Sequence, residues 1–338
     1  MLVYRRLLLT ATLLAFAVIA LGAYVRLSDA GLGCPDWPGC YGHWLGVPDA
    51  AHEQLAAQEA FPVRPLNTGK AWKEMIHRYL AGTLGLLILS LGLLAWRRDI
   101  RRNQPPMLPT LLLAIVCIQA ALGMWTVTLL LKPVIVTLHL IGGMTTLSLL
   151  VGLQLANGKP INTAGIGQGT RLLAAGALLV IIIQIGLGGW VSSNYAALAC
   201  PDFPLCQGQW RPNMDFGHAF NLHRELGMTS DGQLLPFAAL TAIHWSHRLG
   251  AMVLTVVAGM LAIALVRTGA PRWRSWGWIL SGLLATQISL GVANVLLALP
   301  LALAIAHNLG AACLLTATLA INIEINRQRS FLPELKKP

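Results

Sequence analysis

Charge is scarce in this sequence. Only 11% of its 338 residues are Asp, Glu, Lys or Arg, against about 25% in a typical soluble domain. So little charge excludes an ordinary soluble globular fold and points to an integral membrane protein. A mean hydropathy of +0.64 agrees. Acidic residues are the rarest, 13 against 24 basic ones, for a net charge of +11. Such a balance alone would suit a nucleic-acid binder, a reading that the placement of the basic residues removes.

What the chain has in place of charge is long apolar runs. Eight stretches of about 20 residues are long enough to span a bilayer as helices: roughly 7–26, 73–96, 108–130, 134–156, 171–193, 238–266, 275–297 and 301–323. The first begins with Met-Leu-Val-Tyr-Arg-Arg and could be taken for a signal peptide. Its sequence has a counterpart at 173–192, where no signal peptide can stand, so it counts as a span. With a cytoplasmic N-terminus, the inner segments hold 15 of the 24 basic residues, among them Arg97, Arg98, Arg101, Arg102, Arg267, Arg272 and Arg274. This is the bias expected of cytoplasmic loops, and it accounts for the positive charge without nucleic acid. The two long loops, about 27–72 and 194–237, then face the periplasm of a bacterial inner membrane.

The chain repeats itself. Cys34 and Cys40 recur as Cys200 and Cys206, both 166 residues later. IHRYLAGTLG (76–85) recurs as SHRLGAMVLT (246–255), IQAALGMW (118–125) as TQISLGVA (286–293), and TLHLIGG (137–143) as IAHNLGA (305–311). The reading is an all-α membrane protein of two tandem four-helix bundles. An even number of spans gives both copies the same orientation, related by a pseudo-two-fold axis along the membrane normal. The units are residues 1–157 and 171–326, joined by a cytoplasmic linker at 158–170 and followed by a tail at 327–338.

His77, His139, His247 and His307 occupy matched places near the outer ends of four spans. Polar residues within membrane helices are costly and mark sites by default. Three or four residues after each His stand small residues: Ala81, Gly142 and Gly143, Gly250 and Ala251, Gly310 and Ala311. They share the histidine's face of the helix, and they suit either close helix crossing or a flat macrocycle held between two imidazoles. Two such pairs make two bis-histidine haem sites, one per repeat. Zinc or copper would want tighter clusters with Cys or carboxylate, absent at these helix starts. All four ligands lie near one face, which argues against a wire carrying electrons across the bilayer.

The copies differ in one informative place. Glu74 precedes His77 by three residues, whereas His244 precedes His247 by three. A carboxylate beside an axial ligand can hold or deliver a proton; paired with Lys70 or Lys73 it would be an interfacial ion pair of small worth. The N-terminal half thus reads as the place of chemistry and the C-terminal half as a holding or relay site. Arg78 and Arg248 follow the two histidines and are candidates for haem propionates, or for snorkelling to headgroups.

VRLSDAGLGCPDWPGCYG, EMIHR, TLHLIGG, CPDFPLCQG, HWSHR and AHNLGA together resemble the haem A synthase family, over about residues 10–323. The resemblance implies oxidation of a ring methyl of haem O to a formyl group through successive hydroxylations, with haem A delivered to a terminal oxidase. It implies Glu74 as a catalytic residue, His77 and His139 at the substrate haem, and His247 and His307 on a haem b cofactor. It also implies disulfides Cys34–Cys40, active in turnover or structural, and Cys200–Cys206, structural. Haem O synthase becomes the expected upstream partner, and a homo-oligomer is open. Two other readings remain. A quinone-linked disulfide oxidoreductase would not need four matched histidines, and a haem carrier would not need Glu74. Residues 49–61 read as a short surface helix. His43, His52, His218 and His223 read as solvated loop residues, Cys117 and Cys313 as small residues of the helical core.

Overall fold

Where no water reaches, each backbone N–H and C=O must be satisfied within its own segment, and an isolated apolar run can do so only as a helix. The computed structural model describes residues 2–102, 104–156 and 165–327. Eight long helices carry the eight runs: α1 (Leu2–Leu27), α3 (Thr68–Ala95), α5 (Met107–Thr128), α6 (Pro133–Ala156), α7 (Gln168–Ser193), α9 (Phe237–Arg267), α10 (Pro271–Leu296) and α11 (Leu301–Asn326). All eight are long and apolar enough to cross a membrane. The short helices are α2 (Ala51–Ala60), α4 (Arg98–Arg101) and α8 (Phe216–Ala219). Among the described residues there is no strand, only isolated bridges in the loops. The chain is a multi-pass, all-α membrane protein.

Several helices start before the apolar runs do, because their first turns are polar. α3 begins five residues early, where the Asn67 side chain accepts the Lys70 N–H at 3.0 Å and satisfies one orphan donor of the first turn. α10 begins at Pro271, whose missing N–H costs nothing there. α2 occupies the stretch read as a surface helix.

The first four spans pack as α1 on α3, α3 on α5, α5 on α6 and α1 on α6. In the second four, α7 packs on α9, α9 on α10, α10 on α11 and α7 on α11. The two sets meet through α1 against α11, α6 against α7 and α6 against α11. Each packing in one half therefore has its counterpart in the other. At the junction, Arg26 donates to the Ser192 carbonyl at 2.7 Å and its guanidinium stacks 4.0 Å over the Tyr195 ring. Tyr195 donates to Asp29 at 3.1 Å. Arg26 and Ser192, like Asp29 and Tyr195, stand one repeat offset apart. The tight turns α5–α6 and α10–α11 each place two consecutive non-glycine residues at positive φ, Leu130 and Leu131 in one, Ala298 and Leu299 in the other.

Most of the linker expected at 158–170 and of the tail at 327–338 lies outside the described residues. α7 is tied to α11 by Arg171, which donates to the Ile325 carbonyl at 2.6 Å. Cys117 does not sit in the core: it is exposed on α5, whereas Cys313 is partly buried. A span that is apolar all round gives no sequence signal of which face meets its neighbours.

Candidate functional site

The cysteine loops are built alike, and each rests on a histidine-bearing helix. Cys34–Cys40 and Cys200–Cys206 are both disulfides, and all four half-cystines are buried. Within each loop an aspartate gathers two backbone N–H groups. Asp36 accepts from Tyr41 at 2.6 Å and Gly42 at 2.8 Å; Asp202 accepts from Gln207 at 2.6 Å and Gly208 at 2.8 Å. The Gly208 and Gln207 donors hold the Asp202 carboxyl below the usual carboxylate range. A Cys200→Ala, Cys206→Ala double variant is expected to lose about 2 kcal/mol, the chain-entropy value for so short a loop, read as a lowered unfolding midpoint in detergent.

Under each loop lies the residue three before the histidine. Glu74, only 4% exposed, accepts the Cys34 N–H through Oε2 at 3.0 Å and pairs through Oε1 with Arg78 at 2.5 Å. Arg78 in turn donates to the loop carbonyls of Asp36, Pro38 and Gly39. In the second half the His244 Nδ1 accepts the Cys200 N–H at 3.2 Å. Arg248 donates to the carbonyls of Leu205, Cys200 and Asp202 at 2.7–2.8 Å. Glu74 thus takes neither Lys70 nor Lys73 as its ionic partner. Both arginines are clamps on their loops, so any propionate at Arg78 or Arg248 would share them with these bonds.

The four histidines fall into two pairs, His77 with His139 and His247 with His307, each pair close enough to interact electrostatically. Each half-buried ring rests on a glycine of the neighbouring helix. A Cβ at Gly22 of α1 would lie 3.0 Å from His77 Cε1; at Gly123 of α5, 3.4 Å from His139 Cε1; at Gly188 of α7, 3.2 Å from His247 Cε1; at Gly291 of α10, 3.1 Å from His307 Cε1. At Gly22, Gly188 and Gly291 even a β-carbon would crowd the ring, which would have to give by a few tenths of an ångström. Moreover, Nδ1 of His77, His139 and His307 is buried without a hydrogen-bond partner. A bare imidazole buried in this way is costly. Paired imidazoles, rings seated against glycine and orphaned ring nitrogens fit a bis-histidine haem. Among the described residues no group of three or more His, Cys, Asp or Glu gathers to hold a bare metal ion.

Sequence reading missed the glycine shelves and three glutamines, Gln119, Gln184 and Gln287, beside three of the histidines. The signal was present: Gly22 and Gly188 stand 166 apart, Gln119 and Gln287 like Gly123 and Gly291 168 apart. The small residues Gly142, Gly250 and Gly310 have a function other than presenting a flat surface. Each makes room for one of those glutamine side chains. His43 and His218 are half-buried, His52 and His223 exposed. His218 bonds Asp215 at 2.6 Å, and His43 pairs with Cys40 through the backbone.

Residues 5–319 match the family described as cytochrome oxidase assembly protein. The haem A synthase of Shewanella oneidensis is 44% identical over 308 residues, 90% of this chain and 91% of that protein. That of Halalkalibacterium halodurans is 27% identical over 325 residues, 93% of this chain and 94% of its own. That of a Chelativorans species is 28% identical over 318 residues, 86% and 82% of the two chains.

Proposed function

This chain belongs to the cytochrome oxidase assembly protein family, and from that premise we propose that it is a haem A synthase, an oxidoreductase that acts on haem O. The observation that carries the reading is an asymmetry. Two histidine pairs lie on matched glycine shelves under matched disulfide loops, and only one of them has a carboxylate, Glu74, beside it. A carrier would have no use for that difference.

In this reading His77 and His139 would hold the substrate haem, whose ring methyl is the group that becomes the formyl of haem A. His247 and His307 would hold a haem b, which supplies a one-electron relay when bound. Arg78 pairs with Oε1 of Glu74, and the Cys34 N–H fixes the direction of its Oε2. Oε1 and Oε2 can therefore take up or return a proton at one defined place next to His77. The Cys34–Cys40 loop caps this carboxylate and keeps bulk water from it, since the disulfide packs against Tyr41, Ala71 and Met75. Burial of both sulfurs favours a clamp over a freely reducible pair. His244, neutral when it accepts the Cys200 N–H through Nδ1, holds its loop and does no chemistry.

The two halves form tandem four-helix units about an axis along the membrane normal; the matched packings and the contacts between residues 166 apart support this. The cysteine loops face the periplasm of a bacterial inner membrane, the side where disulfides persist. Arg97, Arg98, Arg101, Arg102, Arg267 and Arg272 lie at the opposite helix ends. Haem O is supplied by an upstream haem O synthase.

Haem extraction tests the proposal. Protein co-expressed with a haem O synthase and purified in detergent is expected to yield haem b together with haem O and haem A on chromatography. Haem b alone, from folded protein with haem O available, would overturn it.

A further inference from the structure

The first disulfide loop dips along the helix it covers. It enters beside the first turns of α3. The Cys34 N–H donates to Glu74, and Gly33 sits so close to α3 that a Cβ there would lie 2.6 Å from the Lys70 carbonyl. The loop then runs toward the middle of the span. Arg78 holds the carbonyls of Asp36, Pro38 and Gly39, and the Tyr79 hydroxyl accepts the Gly46 N–H at 2.7 Å. From there the chain turns back, since the Asp49 carboxylate accepts the Trp72 indole N–H at 3.4 Å. Trp72 stands seven residues nearer the start of α3 than Tyr79, about 10 Å along the axis. The deepest part of the loop is therefore the stretch that ends at Gly46. It carries Trp44 and Leu45, which are 79% and 81% exposed.

The tip adjoins the spanning part of α3. From Met75 to Ala95 the only Asp, Glu, Lys or Arg is Arg78, and the loop itself occupies that side chain. Ile76, on the same face of α3 as Tyr79, is exposed as well.

The second loop repeats the tip. The Cys206–Gln209 bridge matches the Cys40–His43 bridge, and Trp210 follows Gln209 as Trp44 follows His43. Trp210 is 74% exposed. At the offset of 166, YGHWLGVPDA (41–50) and QGQWRPNMDF (207–216) share only a Gly, a Trp and an Asp. Both glycines, Gly42 and Gly208, have positive φ. Both aspartates, Asp49 and Asp215, accept hydrogen bonds. The tryptophans are kept although the fold leaves them almost bare, so what they serve lies outside the protein. A large apolar side chain left in water forgoes the gain of burial. An indole suits the membrane–water interface, with its ring among the upper acyl carbons and its N–H among the headgroups.

We propose that Trp44 and Leu45 of the first disulfide loop and Trp210 of the second are immersed in the interfacial region of the leaflet at the histidine ends of the spans, so that lipid anchors both loops. The lid over Glu74 is then held from two sides, by Arg78 within the protein and by the bilayer outside it. The inference rests on the eight spans and the course of the loops, and it stands whether or not the histidines bind haem.

The test uses the full-length protein in nanodiscs of phosphatidylcholine and phosphatidylglycerol, with its 11 tryptophans replaced biosynthetically by fluorotryptophan. Trp44→Phe and Trp210→Phe each remove one fluorine resonance and so assign it; both side chains are exposed, so folding does not depend on them. Both resonances are expected to be lost to broadening when the lipid carries a nitroxide near the top of its acyl chain, and to survive a soluble gadolinium chelate. Resonances broadened by the chelate as much as by the nitroxide lipid, or more, would put the tips in water and overturn the proposal. In the same nanodiscs, Trp44→Ser with Leu45→Ser should speed amide hydrogen exchange across residues 34–46 about tenfold or more, with residues 200–210 unchanged. Exchange at the wild-type rate in that folded variant would show that lipid does not anchor the loop.

Discussion

Glu74→His is expected to leave a folded, haem-loaded protein that makes haem A at least about a hundredfold more slowly, within the 10²- to 10⁴-fold range for loss of a positioned acid or base. The second half of the molecule has already made this substitution: His244 stands where Glu74 does and accepts the same loop N–H, from Cys200 in place of Cys34. A residue needed only to hold the loop can therefore be a histidine. What the exchange removes is the negative charge facing Arg78 at 2.5 Å and a group able to carry a proton beside His77. Glu74→Gln isolates the charge further, since its amide oxygen can still accept the Cys34 N–H and Arg78 keeps its three loop carbonyls. Both variants should show wild-type haem b on extraction, and haem O should accumulate. Glu74→Ala is a poorer probe, because an unsatisfied buried N–H at Cys34 costs about 1–3 kcal/mol and loosens the loop. If Glu74→His turned over at the wild-type rate, Glu74 would be a loop anchor and the chemistry would have to be sought elsewhere.

The same comparison shows how much of the molecule could be read from its residues. The eight spans were legible because each is a run of apolar residues of bilayer length, and hydropathy needs no knowledge of neighbours. The four histidines and the cysteine pairs were legible because they recur at fixed offsets. Arg78 and Arg248 were legible as important, but not as clamps: their partners are backbone carbonyls of a loop some 40 residues earlier, and a carbonyl has no signature in the sequence. Cys117 was misplaced in the core for a related reason. A helix apolar on every side has no stripe to show which residues touch protein and which face lipid. The glutamines lay between these cases. Gln119 and Gln287 stood inside the repeated segment, whereas the place on α1 that matches Gln184 holds Val18, so the repeat did not point to it.

The glycine shelves predict the second large effect. Gly188→Leu should cut haem b occupancy more than tenfold and leave the His77 site able to bind haem O, whereas Gly22→Leu should do the reverse. The β-carbon alone would stand 3.2 Å from His247 Cε1 in the first case and 3.0 Å from His77 Cε1 in the second, so the rest of a leucine side chain can be housed only by moving the ring. Overpacking of this kind typically costs about 1–3 kcal/mol, which a bundle of eight helices should tolerate, so purified protein is expected in both cases. Gly82→Leu is the control. It lies on α3, the helix of His77, with nothing within 4 Å of its would-be Cβ, and should leave both haems in place. Extraction and chromatography read all three variants directly. Because each shelf touches one ring, a separate loss of one haem per variant is the outcome that two independent bis-histidine sites require. Loss of both haems from Gly188→Leu, with Gly82→Leu unaffected, would mean that the two pairs serve a single shared site. The division of labour between a reacting half and a retaining half would then fail.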